Sequence, residues 1–331
     1  MYKINDEFML IIVKRGENMK RKKYIIFSVI LSITVVIIGI VVIISVVNYD
    51  NAHFVIKDTL PDGNGKNARI ILLAGQSNAA GCSLDEYLKI NVSKEKYQEY
   101  EHGYENVYIN YFCSGNNISS EFVNCKTNQG ETIGYFGPEL GLSEALHKNY
   151  PDELFFIIKY TWSGTNLFEQ WLSPSSSGKT GKLYKEFISF TIQSIEYLTS
   201  KDYNVQIEGL CWMQGESDSF SEENATNYEF NLLNFIKDVR KKLSKYSSND
   251  GIAFIDAYIA DNPIYWVFCD LVNKSKEKVD LNSNMNALID TNSHGLTCSN
   301  EPSDQVDMAH YDSMSEIKLG HLFAEYISKY F

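Results

Sequence analysis

The sequence contains few cysteines and prolines, and its basic residues are outnumbered by acidic ones. Six cysteines in 331 residues exclude a disulfide-dense scaffold. Apolar residues make up 44% and charged residues 22%, which is typical of a globular chain and excludes whole-chain disorder. Lysine and arginine number 30 against 42 aspartate and glutamate, so the net charge of −12 argues against nucleic acid as a partner. No CxxC pair and no HExxH motif occur, and we therefore predict no metal.

Charge is also absent from one long stretch near the N-terminus. Residues 24–47 read YIIFSVILSITVVIIGIVVIISVV and contain no charged residue and no proline. At 1.5 Å per residue a helix of this length spans about 36 Å, which exceeds the hydrocarbon core of a bilayer at about 30 Å. We therefore predict a transmembrane signal-anchor helix that binds the lipid bilayer. A cleaved signal peptide and a buried core element are the alternatives.

The charges on either side of this stretch predict its orientation. Residues 1–23 hold seven basic and three acidic side chains, and Arg21-Lys22-Lys23 directly precede the span. The positive-inside rule then makes 1–23 a short cytoplasmic N-terminus and places the catalytic domain outside the cell membrane. Residues 48–67 contain Pro61 and two glycines, which is typical of a linker. Residues 68–331 are predicted to be the globular domain.

Apolar runs of strand length alternate with amphipathic segments in this domain. The predicted strands are 68–74, 154–160, 205–213 and 251–257. The predicted helices are 139–149, 183–199, 227–246 and 313–330. This alternation predicts an α/β fold, a three-layer α/β/α sandwich around a parallel sheet of flavodoxin-like type, with its active site at the carboxyl ends of the strands. Residues 258–306 show no such pattern.

Three polar motifs stand where such a site is expected. Gly75-Gln76-Ser77-Asn78 ends the first predicted strand, Gln214-Gly215-Glu216 follows the third, and Asp307 stands three residues before His310, ahead of the last helix. A serine nucleophile needs a base to take its proton, and the base needs an acid to orient it. Taken singly, each motif also fits a plain turn, an N-cap or a surface loop.

Together and in this order, the motifs GQSN, QGE and DxxH resemble the SGNH-hydrolase superfamily. The chain is most similar there to the sialate O-acetylesterase and acetylxylan esterase group of carbohydrate esterases, whose blocks read GQSN, GGT, QGE and DxxH. The resemblance covers residues 68–331. It implies an SGNH fold and a serine esterase that needs no cofactor and removes O-acetyl groups from carbohydrates.

The resemblance also implies a catalytic role for several residues of this chain. Ser77 matches the nucleophile, His310 the general base and Asp307 the acid that orients the base. Glu216 is the alternative acid, because some relatives are assigned the glutamate of QGE. We favour Asp307, since its spacing fixes it beside His310.

A further block of the resemblance concerns the oxyanion hole. Ser163-Gly164-Thr165 matches GGT, with serine in place of the first glycine, and this departure puts the shape of the loop in doubt. The implied donors are the backbone amides of Ser77 and Gly164 and the side-chain amide of Gln214. The side chains considered for sugar binding are Trp162, Trp171 and Asn78, with core packing as the alternative for the tryptophans.

Two other functions compete with this interpretation. One is an SGNH lipase or thioesterase-like hydrolase, which uses the same chemistry on another substrate. The other is a catalytically inactive carbohydrate-binding protein, against which the intact Ser77, Asp307 and His310 argue. Cys113 and Cys125 flank a polar segment in the part predicted to lie outside the membrane, so they are candidates for a disulfide.

Overall fold

A sheet of eight strands runs through the part of the chain that the computed structural model describes, namely residues 52–248, 250–298, 301 and 307–331. Its strands are β1 (Asn67–Gly75), β3 (Val107–Cys113), β4 (Asn117–Ile118), β5 (Val123–Asn124), β7 (Phe155–Thr161), β8 (Asn204–Met213), β9 (Ala253–Ala257) and β10 (Asn286–Ile289). The short strands β2 (Ser83–Leu84) and β6 (Tyr135–Phe136) form a separate antiparallel pair. The order in the large sheet is β10-β9-β8-β1-β7-β3-β4, with β5 also paired to β3.

The six long and central strands of this sheet are parallel to their neighbours, and only β4 and β5 run antiparallel to β3. This arrangement confirms the prediction of a mainly parallel α/β sheet. The strand β7 is buried over its whole length, and β1 is buried from Ile70 to Gly75. A parallel strand covered on both faces reads as a continuous apolar run, which explains why the segments ARIILLA and LFFIIKY could be identified from sequence.

Helices connect the strands along the described chain. They are α1 (Ser77–Ala80), α2 (Asp85–Asn91), α3 (Lys94–His102), α4 (Pro138–Asn149), α5 (Pro174–Ser177), α6 (Lys182–Ser200), α7 (Glu222–Leu243), α8 (Cys269–Asp280) and α9 (Ser313–Ile327). Three short 3₁₀ turns lie at Asp218–Phe220, Ser244–Tyr246 and Ser328–Tyr330. Side-chain caps fix three of the starts, because Ser93, Ser221 and Asp312 accept hydrogen bonds from the backbone amides of Lys96, Asn224 and Ser315, respectively.

The helices cover both faces of the sheet. A Cβ built on Gly209 of β8 would lie 2.9 Å from Cδ1 of Ile327, the last residue of α9. Trp212 of the same strand packs against Phe235 of α7, with ring centroids 4.7 Å apart. Positions 209 and 212 point to opposite faces because side chains alternate along a strand. The sheet is therefore sandwiched between α9 on one face and α7 on the other.

The sequence analysis missed the strand β3, which lies inside the sheet beside β7. Its segment VYINYFC carries the fully buried Asn110 at its centre, and this polar residue interrupts the apolar run. The side chain is satisfied locally, since its Nδ2 donates to Ser194 Oγ at 3.0 Å and its Oδ1 accepts from Ser119 Oγ at 2.8 Å. The partners that make Asn110 acceptable in the core come from distant or irregular segments, so the pattern alone could not show them.

Residues 258–306 were expected to be irregular, and this expectation was wrong for two elements, α8 and β10. The helix α8 has only a sparse apolar stripe and buries Lys276, whose ammonium group contacts Asp256 Oδ1 at 2.6 Å. In a sequence, a lysine is normally interpreted as solvent-exposed. The partner that allows Lys276 to be buried is Asp256, which lies on β9 and is distant in the sequence. The side of α8 that faces the core could therefore not be identified from the sequence.

The predicted membrane anchor lies outside the described residues, as does the cytoplasmic stretch 1–23. Within the described ranges, no helix is both long and apolar enough to span a bilayer. Residues 52–66, from the predicted linker, form no helix or strand. They lie along α6, where the amides of Thr59 and Leu60 donate to the hydroxyl of Tyr197 at 3.2 and 3.1 Å.

The crossing of α4 and α9 generates a stability prediction. A Cβ on Gly141 would lie 2.0 Å from the carbonyl oxygen of Ile317, and one on Gly320 would lie 2.1 Å from that of Pro138. We expect Gly141→Ala to force the helices apart and to lower the free energy of unfolding by about 1–3 kcal/mol or more. Chemical denaturation measures this loss. The exposed Lys148→Ala on the same helix is the control and should change stability by less than about 0.5 kcal/mol; equal effects would contradict the packing argument.

Candidate active site

The turn that carries Ser77 begins where the central strand β1 ends. Gly75 has a φ of +141° there, and a Cβ at this position would lie 1.9 Å from the carbonyl oxygen of Met213. Only glycine therefore allows β1 to approach β8 this closely. Ser77 opens the helix α1 and is 7% exposed. Its hydroxyl makes no hydrogen bond to another residue in the described part of the chain, so the oxygen is available at the carboxyl edge of the sheet.

Asp307 and His310 form a compact pair in the loop before α9. Nδ1 of His310 lies 2.7 Å from Oδ2 of Asp307. The other carboxylate oxygen, Oδ1, accepts hydrogen bonds from the backbone amides of Ala309 at 2.8 Å and His310 at 3.2 Å. The carboxylate thus shapes the loop and orients the ring. With the proton on Nδ1, the nitrogen Nε2 is left to accept a proton.

Asn78 ties this loop to the turn of Ser77. Its Nδ2 donates to Oε1 of Glu216 at 2.8 Å and to the carbonyl of Ala309 at 3.4 Å, and its Oδ1 accepts from the amide of Tyr311 at 3.1 Å. Asn78 is fully buried. The residue that follows Ser77 therefore holds the backbone on both sides of His310.

The two candidate acids occupy different positions. Asp307 contacts the ring of His310, whereas Glu216 is buried and contacts Asn78. Burial raises the pKa of Glu216, and its Oε2 has no hydrogen-bond partner among the described residues. This geometry favours Asp307 as the acid of the triad and gives Glu216 a supporting place beneath the loop. The assignment stays a prediction.

The charges of the pair stabilise each other. Burial disfavours the imidazolium of His310, but the carboxylate of Asp307 and the sulfur of Cys82 together outweigh that effect, and they raise the pKa of His310 above its usual value of 6.5. Burial likewise acts to raise the pKa of Asp307, yet its hydrogen bond with His310 lowers it on balance. A high pKa gives His310 a strong affinity for the proton of a nucleophile. It also requires a higher pH before the ring is neutral and able to act as a base.

Cys82 is a neighbour of His310 that the sequence analysis did not assign to the site. Its thiol lines the same cavity as the imidazole, and burial raises the pKa of the thiol. Among the described residues, His310 makes no direct hydrogen bond to Ser77. Catalytic hydrogen bonds of this kind often become short only in the complex with substrate. Cys82 stands five residues after Ser77 on the same turn, and this proximity in sequence was the available signal.

The block that matches GGT lies after β7 with one exposed amide. Gly164 has a φ of +67° and is exposed, and nothing lies within 4 Å of a Cβ built on it. Ser163, which replaces the first glycine of the family block, is not among the residues with positive φ, and its amide donates to Ser114 Oγ at 2.9 Å. The serine therefore costs no left-handed strain, and Gly164 remains exposed.

Gln214 lies beneath the site and not at its surface. It is fully buried, and Nε2 donates to Oδ2 of Asp218 at 2.6 Å, to the carbonyl of Thr165 at 3.0 Å and to Oε1 of Gln76 at 3.2 Å. An amide has two N–H groups, so none is left for a substrate oxygen in this arrangement. Burial raises the pKa of Asp218 to about 6. The structure therefore gives Gln214 a role in joining loops, and its role as an oxyanion donor stays a prediction without geometric support.

Two of the three side chains considered for sugar binding are inaccessible. Trp171 and Asn78 are fully buried, and the indole of Trp171 donates to Thr165 Oγ1 at 2.9 Å. The expectation that they contact substrate is corrected, because both hold loops from below. Trp162 is partly exposed, and Nζ of Lys182 lies 5.6 Å from the centre of its ring. It can stack on a sugar.

A cavity of about 360 Å³ opens beside His310 and Asp307. Its walls include Cys82, Tyr87, Glu131, Tyr135 and Glu301. None of these residues was assigned to the site from the sequence. Glu131 lies in a segment without regular structure between β5 and β6, so no local pattern marks it.

The described residues include side chains able to bind a metal as well as cysteines. Within the described ranges, one group has ligand atoms within 4.8 Å of one another, Asp261, Cys269 and Asp270, and both of its aspartates are exposed. Cys113 and Cys125 are free thiols, which corrects the candidate disulfide. Their sulfur atoms face the carbonyl oxygens of Gln129 and Glu139, at 3.8 and 3.3 Å.

Comparison with known proteins shows which family the chain resembles. A family model described as carbohydrate esterase, sialic acid-specific acetylesterase, matches residues 67–329. The fold is similar to that of NanS, with a TM-score of 0.60 at 14% identity, over 82% of this chain and 98% of that one. A protein of Arabidopsis thaliana gives a TM-score of 0.58 at 16% identity, over 79% and 98% of the two chains. A carbohydrate acetylesterase from Xanthomonas citri gives a TM-score of 0.52 at 16% identity, over 78% of this chain and 55% of that one. No curated protein sequence matches.

Replacement of the two candidate acids tests their roles. We expect Asp307→Asn to reduce kcat by about 10⁴-fold, the scale for loss of the orienting carboxylate in a serine triad. Glu216→Gln is the matched control and should cost far less, because an amide oxygen can still accept the hydrogen bond from Asn78. Steady-state kinetics on p-nitrophenyl acetate measures both variants. An inactive Glu216→Gln beside a nearly normal Asp307→Asn would show that the QGE carboxylate orients the base.

The raised pKa of His310 predicts an alkaline activity profile. The base must be neutral, so kcat/KM should rise with pH through an apparent pKa above 6.5. Asp307→Asn removes the carboxylate that stabilises the imidazolium, so the rise in kcat/KM should occur at lower pH in this variant. Initial rates from pH 5 to 10 on the wild type and the variant provide the comparison. If kcat/KM rises over the same pH range in Asp307→Asn as in the wild type, the carboxylate has no direct effect on the pKa of the ring.

Proposed function

The chain belongs to the family of carbohydrate esterases described as sialic acid-specific acetylesterases, and on this premise we propose that it is a membrane-anchored, extracytoplasmic serine esterase. It is a carboxylic ester hydrolase that acts on carbohydrates. We infer that its substrate is an O-acetylated carbohydrate and that Ser77 is the nucleophile. The observation that carries the proposal is the contact of 2.7 Å between Asp307 and His310, on a loop that Asn78 binds to the turn of Ser77.

The proposed reaction has two steps. The oxygen of Ser77 attacks the carbonyl carbon of the acetyl ester, and Nε2 of His310 takes the hydroxyl proton. The imidazolium then gives this proton to the departing sugar oxygen, which leaves an acetyl group on Ser77. Water, activated by the same histidine, releases acetate and restores the serine.

The negative charge that forms on the carbonyl oxygen needs donors at the edge of the sheet. The backbone amides of Ser77 and Gly164 are proposed for this role, since Ser77 opens the helix α1 just after β1 and Gly164 lies in the loop after the neighbouring strand β7. One such donor is worth about 2.7–4 kcal/mol in the transition state. The open surroundings of Gly164 leave space for the acetyl group next to its amide.

The proposed location rests on the sequence around residues 24–47. An uncharged stretch of 24 residues after Arg21-Lys22-Lys23 supports a signal anchor with a cytoplasmic N-terminus. The remainder, residues 48–331, carries a net charge of −16. Anionic headgroups repel such a domain, which would keep it away from the membrane surface and free to reach glycans.

Hydrolysis of model esters tests the chemistry. The wild type should hydrolyse p-nitrophenyl acetate and release acetate from O-acetylated glycans, whereas Ser77→Ala should lose nearly all turnover, because nucleophile and base act as a unit. A preference for p-nitrophenyl palmitate over the acetate would instead indicate a lipase. A folded wild type without turnover on any ester would indicate a carbohydrate-binding protein.

Protease treatment of intact cells tests the location. If the anchor has the proposed orientation, external protease should remove the esterase domain while a cytoplasmic marker protein stays intact. Cell-associated esterase activity should disappear with the domain. Full protection of the domain in cells whose known surface proteins are digested would contradict the extracytoplasmic assignment.

A further inference from the structure

A lysine lies inside the apolar run of the strand β7. The segment LFFIIKY, which predicted this strand, contains Lys159, and the structure buries the residue completely. Moving an ammonium group out of water costs free energy, and lysine is almost never fully buried without partners. Apolar residues of similar volume often stabilise a core as well as a buried ion pair does. The presence of Lys159 is therefore explained by contacts that an apolar side chain cannot make.

The ammonium group of Lys159 has an acceptor for each of its three N–H groups. Nζ donates to Oε2 of Glu139 at 2.7 Å and to the backbone carbonyls of Ala80 and Gln129, each at 2.8 Å. Burial alone would lower the pKa of Lys159, but its acidic neighbours, Cys113 and Glu139 foremost, outweigh this effect and raise the pKa. The ammonium group therefore stays charged at the pH values at which an esterase is assayed.

The contact with Ala80 connects Lys159 to the turn of Ser77. Ala80 is the last residue of α1, the helix of four residues that Ser77 opens. The last carbonyl groups of a helix have no partner within the helix, and Lys159 supplies one for Ala80. The amide of Glu131 donates to the carbonyl of the next residue, Gly81, at 2.9 Å. The carboxyl end of α1 is thus held by β7 and by the segment between β5 and β6.

The partner of the lysine is itself fixed in the protein. Glu139 is fully buried in the first turn of α4, and its Oε1 accepts from the amide of Gly137 at 2.9 Å. A Cβ built on Gly81 would lie 2.3 Å from Cα of Gly137, so the backbones after α1 and before α4 are in direct contact. The ion pair therefore lies at a closely packed junction, where Nζ of Lys159 cannot be displaced without moving α1.

The amino end of α1 has a separate support. The amide of Gln76 donates to the carbonyl of Met213 on β8 at 3.0 Å. The peptide dipoles of a helix are parallel to its axis, so a tilt of α1 about this end would turn the backbone amide of Ser77. The same tilt would move the Ser77 hydroxyl relative to His310. A helix of one turn keeps its direction only if both of its ends are held.

We propose that Lys159 is a positioning residue of the esterase reaction: through the carbonyl of Ala80 it fixes the direction of α1, and thereby places the hydroxyl and the backbone amide of Ser77. This inference rests on the proposed esterase function and adds a residue to it. Lys159 contacts neither the substrate nor the reacting atoms. Its loss should therefore lower kcat and leave KM nearly unchanged, because attack and oxyanion binding by Ser77 stabilise the transition state.

The test uses two variants of the full-length protein in detergent. Lys159→Met removes the ammonium group, and Lys159→Met/Glu139→Gln removes both charges, so that no unpaired charge stays buried. We expect the folded double variant to lose about 10²-fold in kcat on p-nitrophenyl acetate, the scale for a displacement of about 1 Å. The pH range over which kcat/KM rises should be that of the wild type, because the net charge is unchanged and the contacts of His310 remain.

Arg69→Met is the matched control. Nε of Arg69 lies 2.7 Å from Oε1 of Glu208 near the amino end of β1, at the opposite end of this strand from Ser77. The control also removes an ion pair from the central sheet, so it should lower the midpoint of thermal unfolding but leave kcat unchanged. Near-UV circular dichroism and thermal unfolding establish that each variant is folded, and the double variant decides the question if Lys159→Met does not fold.

Several outcomes would overturn the inference. A folded double variant with the kcat of the wild type would show that Lys159 serves stability alone. A raised KM with an unchanged kcat would show an effect on substrate binding, and an equal loss of kcat in Arg69→Met would show that any weakened sheet impairs the reaction. In each of these cases the esterase function stands. If instead the wild type does not hydrolyse p-nitrophenyl acetate, the proposed function fails, and the role of Lys159 fails with it.

Discussion

The side-chain amide of Asn78 is the contact on which the arrangement of this site depends. It joins three segments that are far apart in the chain: the turn after β1, Glu216 in the loop after β8, and the backbone on both sides of His310. A buried amide without hydrogen-bond partners costs free energy. The position of each segment therefore depends on the other two being in place to satisfy Asn78. Because the asparagine side chain is short, these contacts limit the distance between the turn of Ser77 and the loop of His310.

A second buried amide supports the first from below. Gln214 joins the turn of Gln76 to the loop at Thr165, and Asp218 receives its hydrogen bond together with the amide of Leu167. The loops of β1, β7 and β8 are therefore fixed by a connected polar layer, while Gly164 is exposed. Such fully connected networks fix one arrangement because every alternative leaves a polar group unsatisfied.

The sequence predicted those parts of the molecule that depend on local pattern. Continuous apolar runs identified β1 and β7, and the DxxH spacing predicted the contact between Asp307 and His310, whereas the catalytic roles of Ser77, Asp307 and His310 stay predictions. Parts that depend on distant partners were missed: Asn110 is acceptable inside β3 only because Ser194 and Ser119 satisfy it. Gln214 and Trp171 were placed at the substrate because their types suit that role, and only the three-dimensional arrangement shows that their polar atoms are used inside the protein. Glu131 enters the cavity wall from an irregular segment, for which no periodicity exists.

The central claim is that Ser77, and not the neighbouring Cys82, attacks the ester. Both lie within the tryptic segment between Arg69 and Lys89, and Cys82 lines the same cavity as His310, so the two candidate nucleophiles must be distinguished atom by atom. The most direct measurement is rapid acid quenching of the protein during turnover of p-nitrophenyl acetate, followed by fragment-ion sequencing of this peptide. The account predicts an acetyl group on the oxygen of Ser77, absent from Ser77→Ala. An acetyl group on Cys82 that persists in Ser77→Ala would contradict it.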